Sequence, residues 1–174
     1  MNKEMSVVIT SKKIFLEPKY MLKAIETTKK EILKKTKNKS GPFGACIVDL
    51  KGRIVACESN QVISKNDPTQ HAEVRAISKA CKKLKTICLD KCILYTTCEP
   101  CLMCRGAIYW AQIPVIVYGL TQKDARAIGF DEINITDKQF AHIAKRKVKI
   151  IKNYMRNECM ELFEIYKKNK GIVY

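Results

Sequence analysis

The order of hydrophobic patterns along the chain predicts an α/β protein built in three layers. Two short apolar runs, Gly44 to Asp49 and Arg53 to Glu58, flank the turn Leu50-Lys51-Gly52 and read as a β-hairpin. After it, helix-spaced and strand-like apolar runs alternate to the C-terminus, the pattern of helices packed on a sheet. The 174 residues, 47% of them hydrophobic, suit one globular domain with a sizeable core.

The elements follow in order. Met1 to Glu17 reads as an N-terminal extension (residues 1–17) with a short strand at Ser6 to Ile9. Pro18 opens a helix with Met21, Ile25 and Ile32 on one face and lysines opposite, ended by Lys37 to Gly41. Ser64 to Thr69 is a polar loop. A second helix starts near Gln70, with Val74, Ile77, Cys81 and Leu84 expected on its buried face. Cys92 to Thr96 reads as a buried strand, Cys101 to Ala111 as a helix, and Pro114 to Tyr118 as a further strand. Gln122 to Ile128 reads as a helix, Val148 to Lys152 as a strand, and Arg156 to Lys168 as a last helix with Leu162, Phe163 and Tyr166 inward. Residues 18–174 form the expected catalytic domain. There is no repeat and no low-complexity segment.

The formal net charge is +16, from 33 Lys and Arg against 17 Asp and Glu. The excess is uneven. Met1 to Ser40 carries eleven lysines against four acids, and Lys138 to Tyr174 ten basic residues against three, whereas Gly41 to Asp137 is near balance at twelve against ten. Lysines at helix-surface spacing with few aromatics among them read as a solvated face, and the charge alone does not decide between that and a nucleic-acid partner. Nine cysteines could suggest a disulfide scaffold, but the number is odd and several lie inside apolar segments. The apolar run Met5 to Ile9 is too short for a secretory signal, and no segment approaches the roughly 20 apolar residues of a membrane span. A reducing cytoplasm is the expected setting, with Cys46, Cys57, Cys81, Cys88, Cys92, Cys98 and Cys159 as packed thiols. His142, in the basic tail, reads as solvated.

The chemistry concentrates in His71-Ala72-Glu73 and in Pro100-Cys101-Leu102-Met103-Cys104. Zinc accepts imidazole nitrogen and thiolate sulfur, and three protein ligands leave a fourth tetrahedral position for water. Cys101 and Cys104, three apart, can face one ion from a single helical turn, and Pro100 suits the first position of that helix. The positive end of the helix dipole would favour the thiolates. Bound zinc lowers the pKa of its water to about 7, which yields a hydroxide nucleophile. Glu73 is then the residue to carry protons between that water and a leaving group. A structural zinc clip is the plain alternative, but it normally takes four ligands, and only His71 pairs naturally with these cysteines.

The surroundings of these motifs carry a resemblance. Gly41-Pro42-Phe43-Gly44-Ala45, Asn66-Asp67-Pro68-Thr69, Cys98-Glu99-Pro100-Cys101, Ile108-Tyr109-Trp110-Ala111 and Gly129-Phe130-Asp131 together look like the bacterial-type guanine deaminases of the cytidine deaminase-like superfamily. The motif of His-x-Glu followed by Pro-Cys-x-x-Cys marks zinc deaminases generally. The resemblance implies a three-layer α/β/α fold with a central mixed five-stranded sheet, zinc on His71, Cys101 and Cys104, and hydrolysis of guanine to xanthine and ammonia. It implies catalytic roles for Glu73 and for Glu132, which stands where many members carry an aspartate one methylene shorter. It implies substrate contacts at Phe43, which would stack on the purine, at Asn60, which would read its edge, and at Ala72, Trp110 and Tyr174. It also implies a homodimer in which the segment from about 153 to 174 is exchanged, so that Tyr174 caps the partner's pocket. The alternatives left open are guanosine or another amino-purine as substrate, and a tRNA adenosine deaminase that grips phosphates with its basic termini.

Overall fold

The computed structural model describes residues 6–9, 12–34, 40–133, 135–144 and 146–174. In chain order the elements are β1 (Ser6–Ile9), β2 (Lys12–Phe15), α1 (Pro18–Ile32), β3 (Gly44–Asp49), β4 (Ile54–Ser59), α2 (Val62–Lys65) and α3 (Ala72–Leu84). They continue with β5 (Cys92–Cys98), α4 (Leu102–Trp110), β6 (Val115–Leu120), α5 (Gln122–Ala127), α6 (Asp137–Ile143), β7 (Lys149–Ile151) and α7 (Arg156–Lys168). Five strands form one sheet in the order β4-β3-β5-β6-β7. Strand β3 runs antiparallel to both neighbours, and β5, β6 and β7 are parallel. This is the mixed five-stranded sheet that the family resemblance implies.

Both faces of the sheet are covered. On β3, Cys46 and Val48 face a core shared with α1 and α7, while Ala45 and Ile47 face a second core shared with α3 and α4. Central strands buried on both sides need no polar alternation, which is why β5 and β6 read as continuous apolar runs. Leu162, Phe163 and Tyr166 of α7 are buried as expected, against α1 and β6 of their own chain. Burial of such side chains is worth roughly 1.5–3 kcal/mol each. Helix α1 can lie this close to the sheet because Gly44 has no side chain: a Cβ there would meet the Ala24 carbonyl oxygen at 2.7 Å. No described helix is long and apolar enough to cross a membrane.

Several expectations change. The N-terminal strand has a partner, β2, in a hairpin of its own. Helix α1 ends at Ile32 with Leu33 as its C-cap, earlier than the end expected at Lys37 to Gly41. The first two residues of the loop expected at Ser64 to Thr69 belong to one turn of helix, α2. The buried face of α3 is Ala72, Glu73, Ala76, Ile77 and Ala80, and Leu84 is exposed. The largest apolar residues suggested the wrong stripe because α3 packs closely on the sheet through alanines. Helix α6 was missed, although Thr136 and Gln139 spell the capping box that starts it. Cys46 and Cys57 are joined in a disulfide and are not separate thiols. They stand opposite each other on antiparallel β3 and β4, with Cα atoms 4.1 Å apart, a pairing that linear spacing does not reveal.

Helix α7 is tied to α5 by one carboxylate. Asp124 Oδ2 accepts from the Thr121 backbone N–H at 2.8 Å in a capping box, and both Asp124 oxygens accept from the Arg156 guanidinium, at 2.6 and 2.7 Å. That guanidinium holds the Asp124 carboxyl well below the ordinary 3.8. Replacing Asp124→Asn should therefore cost about 1–2 kcal/mol at pH 7, the cap and a partly exposed ion pair taken together. A lowered folded-state pKa stabilises above the unfolded value, so the difference from wild type should be full above about pH 4 and shrink as the pH falls below it. Urea denaturation of both proteins from pH 7 down to pH 3 reads this directly.

Candidate active site

Two helix starts converge at the C-terminal end of β5. His71 is the N-cap of α3, and Cys101 is the N-cap of α4, both with extended backbone. The helix expected from Cys101 thus begins one residue later, and Pro100 lies outside it. Cys104 sits in the first turn of α4, and the Cys101 carbonyl accepts from Arg105 N–H at 2.8 Å. His71 Nδ1 is 3.5 Å from Cys101 Sγ and 3.6 Å from Cys104 Sγ. All three ligand atoms lie within 4.8 Å of one another. With zinc–sulfur bonds of ~2.3 Å and zinc–nitrogen bonds of ~2.0–2.1 Å, a tetrahedral centre requires sulfur–nitrogen edges of about 3.6 Å. The donor set and its spacing fit the ion.

The three ligand groups shift one another's protonation. A hydrogen bond from Cys104 and the neighbouring His71 bring the Cys101 thiol down to about 4, against the pull of burial. Cys104, as the donor to that thiolate and itself buried, is pushed well up. Burial alone would lower His71, but the Cys101 hydrogen bond and charge raise it. Two helix N-termini add partial positive charge at the same spot. Glu73 is buried in the first turn of α3; burial raises its pKa. Its Oε1 accepts from Thr96 Oγ1 at 2.9 Å, and its Oε2 is 3.5 Å from Cys104 Sγ.

Above this group opens a cavity of about 350 Å³. Phe43, Phe130 and Tyr174 form its aromatic side, with Phe130 edge-on to Phe43 at 4.9 Å and to Tyr174 at 5.4 Å. Glu132 stands on its wall; burial, then the Cys101 and Glu73 charges, push its carboxyl up to about 7. Glu99 and Asp131 also line it, and no lysine or arginine does among the described residues.

Residues 17–120 match the family described as the cytidine and deoxycytidylate deaminase zinc-binding region. The chain belongs to that deaminase family. Among its relatives, guanine deaminase of Bacillus subtilis is 56% identical over 92 residues, which is 53% of this chain and 58% of the length of that protein. A tRNA-specific adenosine deaminase of Buchnera aphidicola is 39% identical over 129 residues, 74% of this chain and 82% of the other. The solved structure of guanine deaminase from Nitrosomonas europaea superposes with a TM-score of 0.75 at 28% identity, covering 85% of this chain and 83% of that one.

In this chain the sequence-derived site residues divide into two groups. His71, Cys101, Cys104, Glu73, Glu132, Phe43 and Tyr174 meet at one cavity. Asn60 is 1% exposed and reaches the cavity through Tyr174, whose hydroxyl donates to Asn60 Oδ1 at 2.9 Å. The same oxygen accepts from the Gly41 and Val62 backbone N–H groups, so only Nδ2, buried without a hydrogen-bond partner, is left to read a ligand.

Two expectations are corrected. Ala72 is fully buried in the core between α3 and the sheet and does not line the cavity. Trp110 is 79% exposed at the far end of α4. Nine residues of helix after Cys101 amount to roughly 13 Å of rise, so this ring cannot reach its own chain's metal site.

The structure adds Thr96, which orients Glu73, and the buried Glu99–Arg105 pair at 2.7 Å. Glu99 Oε2 accepts from Gln122 N–H, and Gln122 Nε2 donates to the Pro100 carbonyl, which braces the segment carrying Cys101. Only Glu99's place inside Cys-Glu-Pro-Cys could have signalled this. We expect one zinc per chain in the purified protein and loss of zinc from Cys101→Ala by metal analysis; full retention in that variant would overturn the ligand set.

Proposed function

We propose that the chain is a zinc-dependent aminohydrolase that converts guanine and water to xanthine and ammonia. The observation that carries this reading is the cavity itself: a metal-ligand triad and a buried carboxylate beneath aromatic walls, with acids and, among the described residues, no lysine or arginine in its lining. Such a lining suits a flat uncharged base and opposes a phosphate. It favours a purine over the polynucleotide that the tRNA-acting relatives are named for, despite the basic surface. The Bacillus and Nitrosomonas relatives named as guanine deaminases support the same substrate.

When bound by His71, Cys101 and Cys104, zinc supplies the Lewis acidity that makes water a nucleophile near neutral pH. Glu73 does the proton work. Thr96 holds its Oε1, which leaves Oε2 directed at the site to take the proton of the attacking water. The same carboxyl then protonates the purine ring nitrogen, and the exocyclic amine leaves as ammonia once it has received the second proton. Phe43 offers a face for the base. Asn60 Nδ2 donates to an acceptor on the purine edge, and Glu132, poised near neutral, exchanges a proton with the departing amine.

A second copy of the chain is the partner we propose. Leu102, Met103 and Trp110 leave an exposed apolar set on α4, which supports an interface there. The tail, held on its own chain by Tyr174–Asn60 and by the α7 packing, would make the same contacts if exchanged between copies. Seven free cysteines support a cytoplasmic setting, against which the Cys46–Cys57 bond is the one opposing feature.

Ammonia release across guanine, guanosine, adenine, cytosine, cytidine and tRNA tests the reading. Guanine should lead, with a rate that hardly responds to salt, whereas turnover led by tRNA and falling steeply with salt would refute it. In the same assay Glu73→Gln should keep zinc but lose more than the 10²–10⁴-fold typical of general acid-base groups. Activity within about tenfold of wild type would move the shuttle to Glu132. Removing Ile172 to Tyr174 should lower turnover with zinc content intact, while an unchanged rate would deny the tail a capping role.

A further inference from the structure

His71 is delivered by a loop that has almost no apolar packing to fix it. Between α2 and α3 the chain turns through Asn66, in the left-handed region, and continues through Asp67 to Gln70. Asp67 organises the turn. Its Oδ1 accepts from Thr69 N–H at 2.8 Å and from Thr69 Oγ1 at 2.6 Å, and its Oδ2 accepts from Gln70 Nε2 at 2.8 Å. His71 N–H donates to the Thr69 carbonyl at 2.8 Å, so the ligand hangs directly on this turn. Pro68, in the same turn, lines the cavity.

The turn is fastened toward β4 by the Gln61 backbone N–H, which donates to the Gln70 carbonyl at 2.9 Å, and by the side chain of Arg75. Arg75 Nη1 donates to Gln70 Oε1 at 3.1 Å, and Arg75 Nη2 donates to Glu58 Oε2 on β4 at 2.5 Å. Arg75 Nε is buried and has no hydrogen-bond partner, so the guanidinium spends its directional bonds on those two acceptors. Glu58 Oε1 takes Lys79 Nζ at 2.6 Å, but Lys79 touches no residue of the loop by hydrogen bond and its side chain is largely exposed. The result is a continuous chain from the rigid sheet through Glu58, Arg75, Gln70 and Asp67 to the backbone that carries His71. A planar fork can serve two acceptors at fixed angles, which a lysine ammonium cannot reproduce.

We propose that Arg75 is a positioning residue for the metal site, holding the His71 imidazole in register through Gln70 and Asp67. The inference rests on the reading of His71 as a zinc ligand. Outer partners of metal ligands typically contribute 10–100-fold in metal affinity, and the same range is expected here although the partner acts through the loop and not on the ring.

Zinc affinity measured by competition with a chromophoric chelator tests this without any use of activity, alongside thermal unfolding of the zinc-free proteins. Arg75→Ala and Gln70→Ala should each weaken zinc by about 10–100-fold. Arg75→Lys should resemble Arg75→Ala, and the double variant should bind no more weakly than the weaker single, because both changes cut one chain. Lys79→Ala removes the other cation from Glu58 and should leave zinc affinity unchanged, even where it lowers the unfolding temperature. Should Arg75→Ala fail to fold, Gln70→Ala decides alone, since it leaves the Glu58–Arg75 pair intact. Unchanged zinc affinity in Gln70→Ala and Arg75→Lys would overturn the proposal and leave Arg75 as a fold-stabilising ion pair. Wild-type protein that binds no zinc would overturn the metal reading itself, and this inference with it.

Discussion

The site depends on two helices starting at the same point in space. His71 and Cys101 come from segments thirty residues apart, yet both are N-caps, and the first turns of α3 and α4 face each other over the end of β5. A helix start exposes unpaired N–H groups and the positive end of the dipole. Two such starts favour thiolate at Cys101 and would be unfavourable without negative charge between them. The thiolate and buried Glu73 supply it, so the ligand set and the helix geometry stabilise each other. The alanine face of α3 is what permits the close approach, because larger side chains at Ala72, Ala76 and Ala80 would lift the helix off the sheet.

Buried charge is handled in the same way around the site. Three carboxyl groups around the site have partners supplied from different elements: Glu73 from Thr96 on β5, Glu99 from Arg105 on α4 and Gln122 on α5, Glu58 on β4 from Arg75 on α3. A buried ion lacking such partners would cost several kcal/mol. These bonds therefore lock the elements in register as well as neutralising the charge. The cavity they enclose is acidic although the whole chain is strongly basic. On and just past α1, Lys23 and Lys30 pair with Glu26 and Lys34 with Glu31, while among the described residues the pocket is lined by carboxylates and no lysine.

Much of this was legible in advance. Pro18 marked the start of α1, the hairpin of β3 and β4 followed from its turn, and His71, Glu73, Cys101 and Cys104 could be named because metal ligation demands particular atoms at particular spacings. Elements whose signal lies in capping or in small residues were harder. Helix α6 is short and starts on a Thr–Gln box, and the alanine face of α3 is invisible to a search for large apolar residues.

The amino-acid sequence by itself determined the layered architecture and named the candidate donor atoms and the proposed proton carrier, since these depend on local periodicity and on which side chains can bind zinc or move a proton. Only the tertiary structure decided which residues share the cavity. It removed Trp110 and Ala72, left Asn60 with a single free donor, joined Cys46 to Cys57, and revealed the polar chain from Glu58 to Asp67. Those outcomes turn on strand register, helix rise and the meeting of side chains far apart in the chain. Such distances are set when the elements pack, and no linear spacing encodes them.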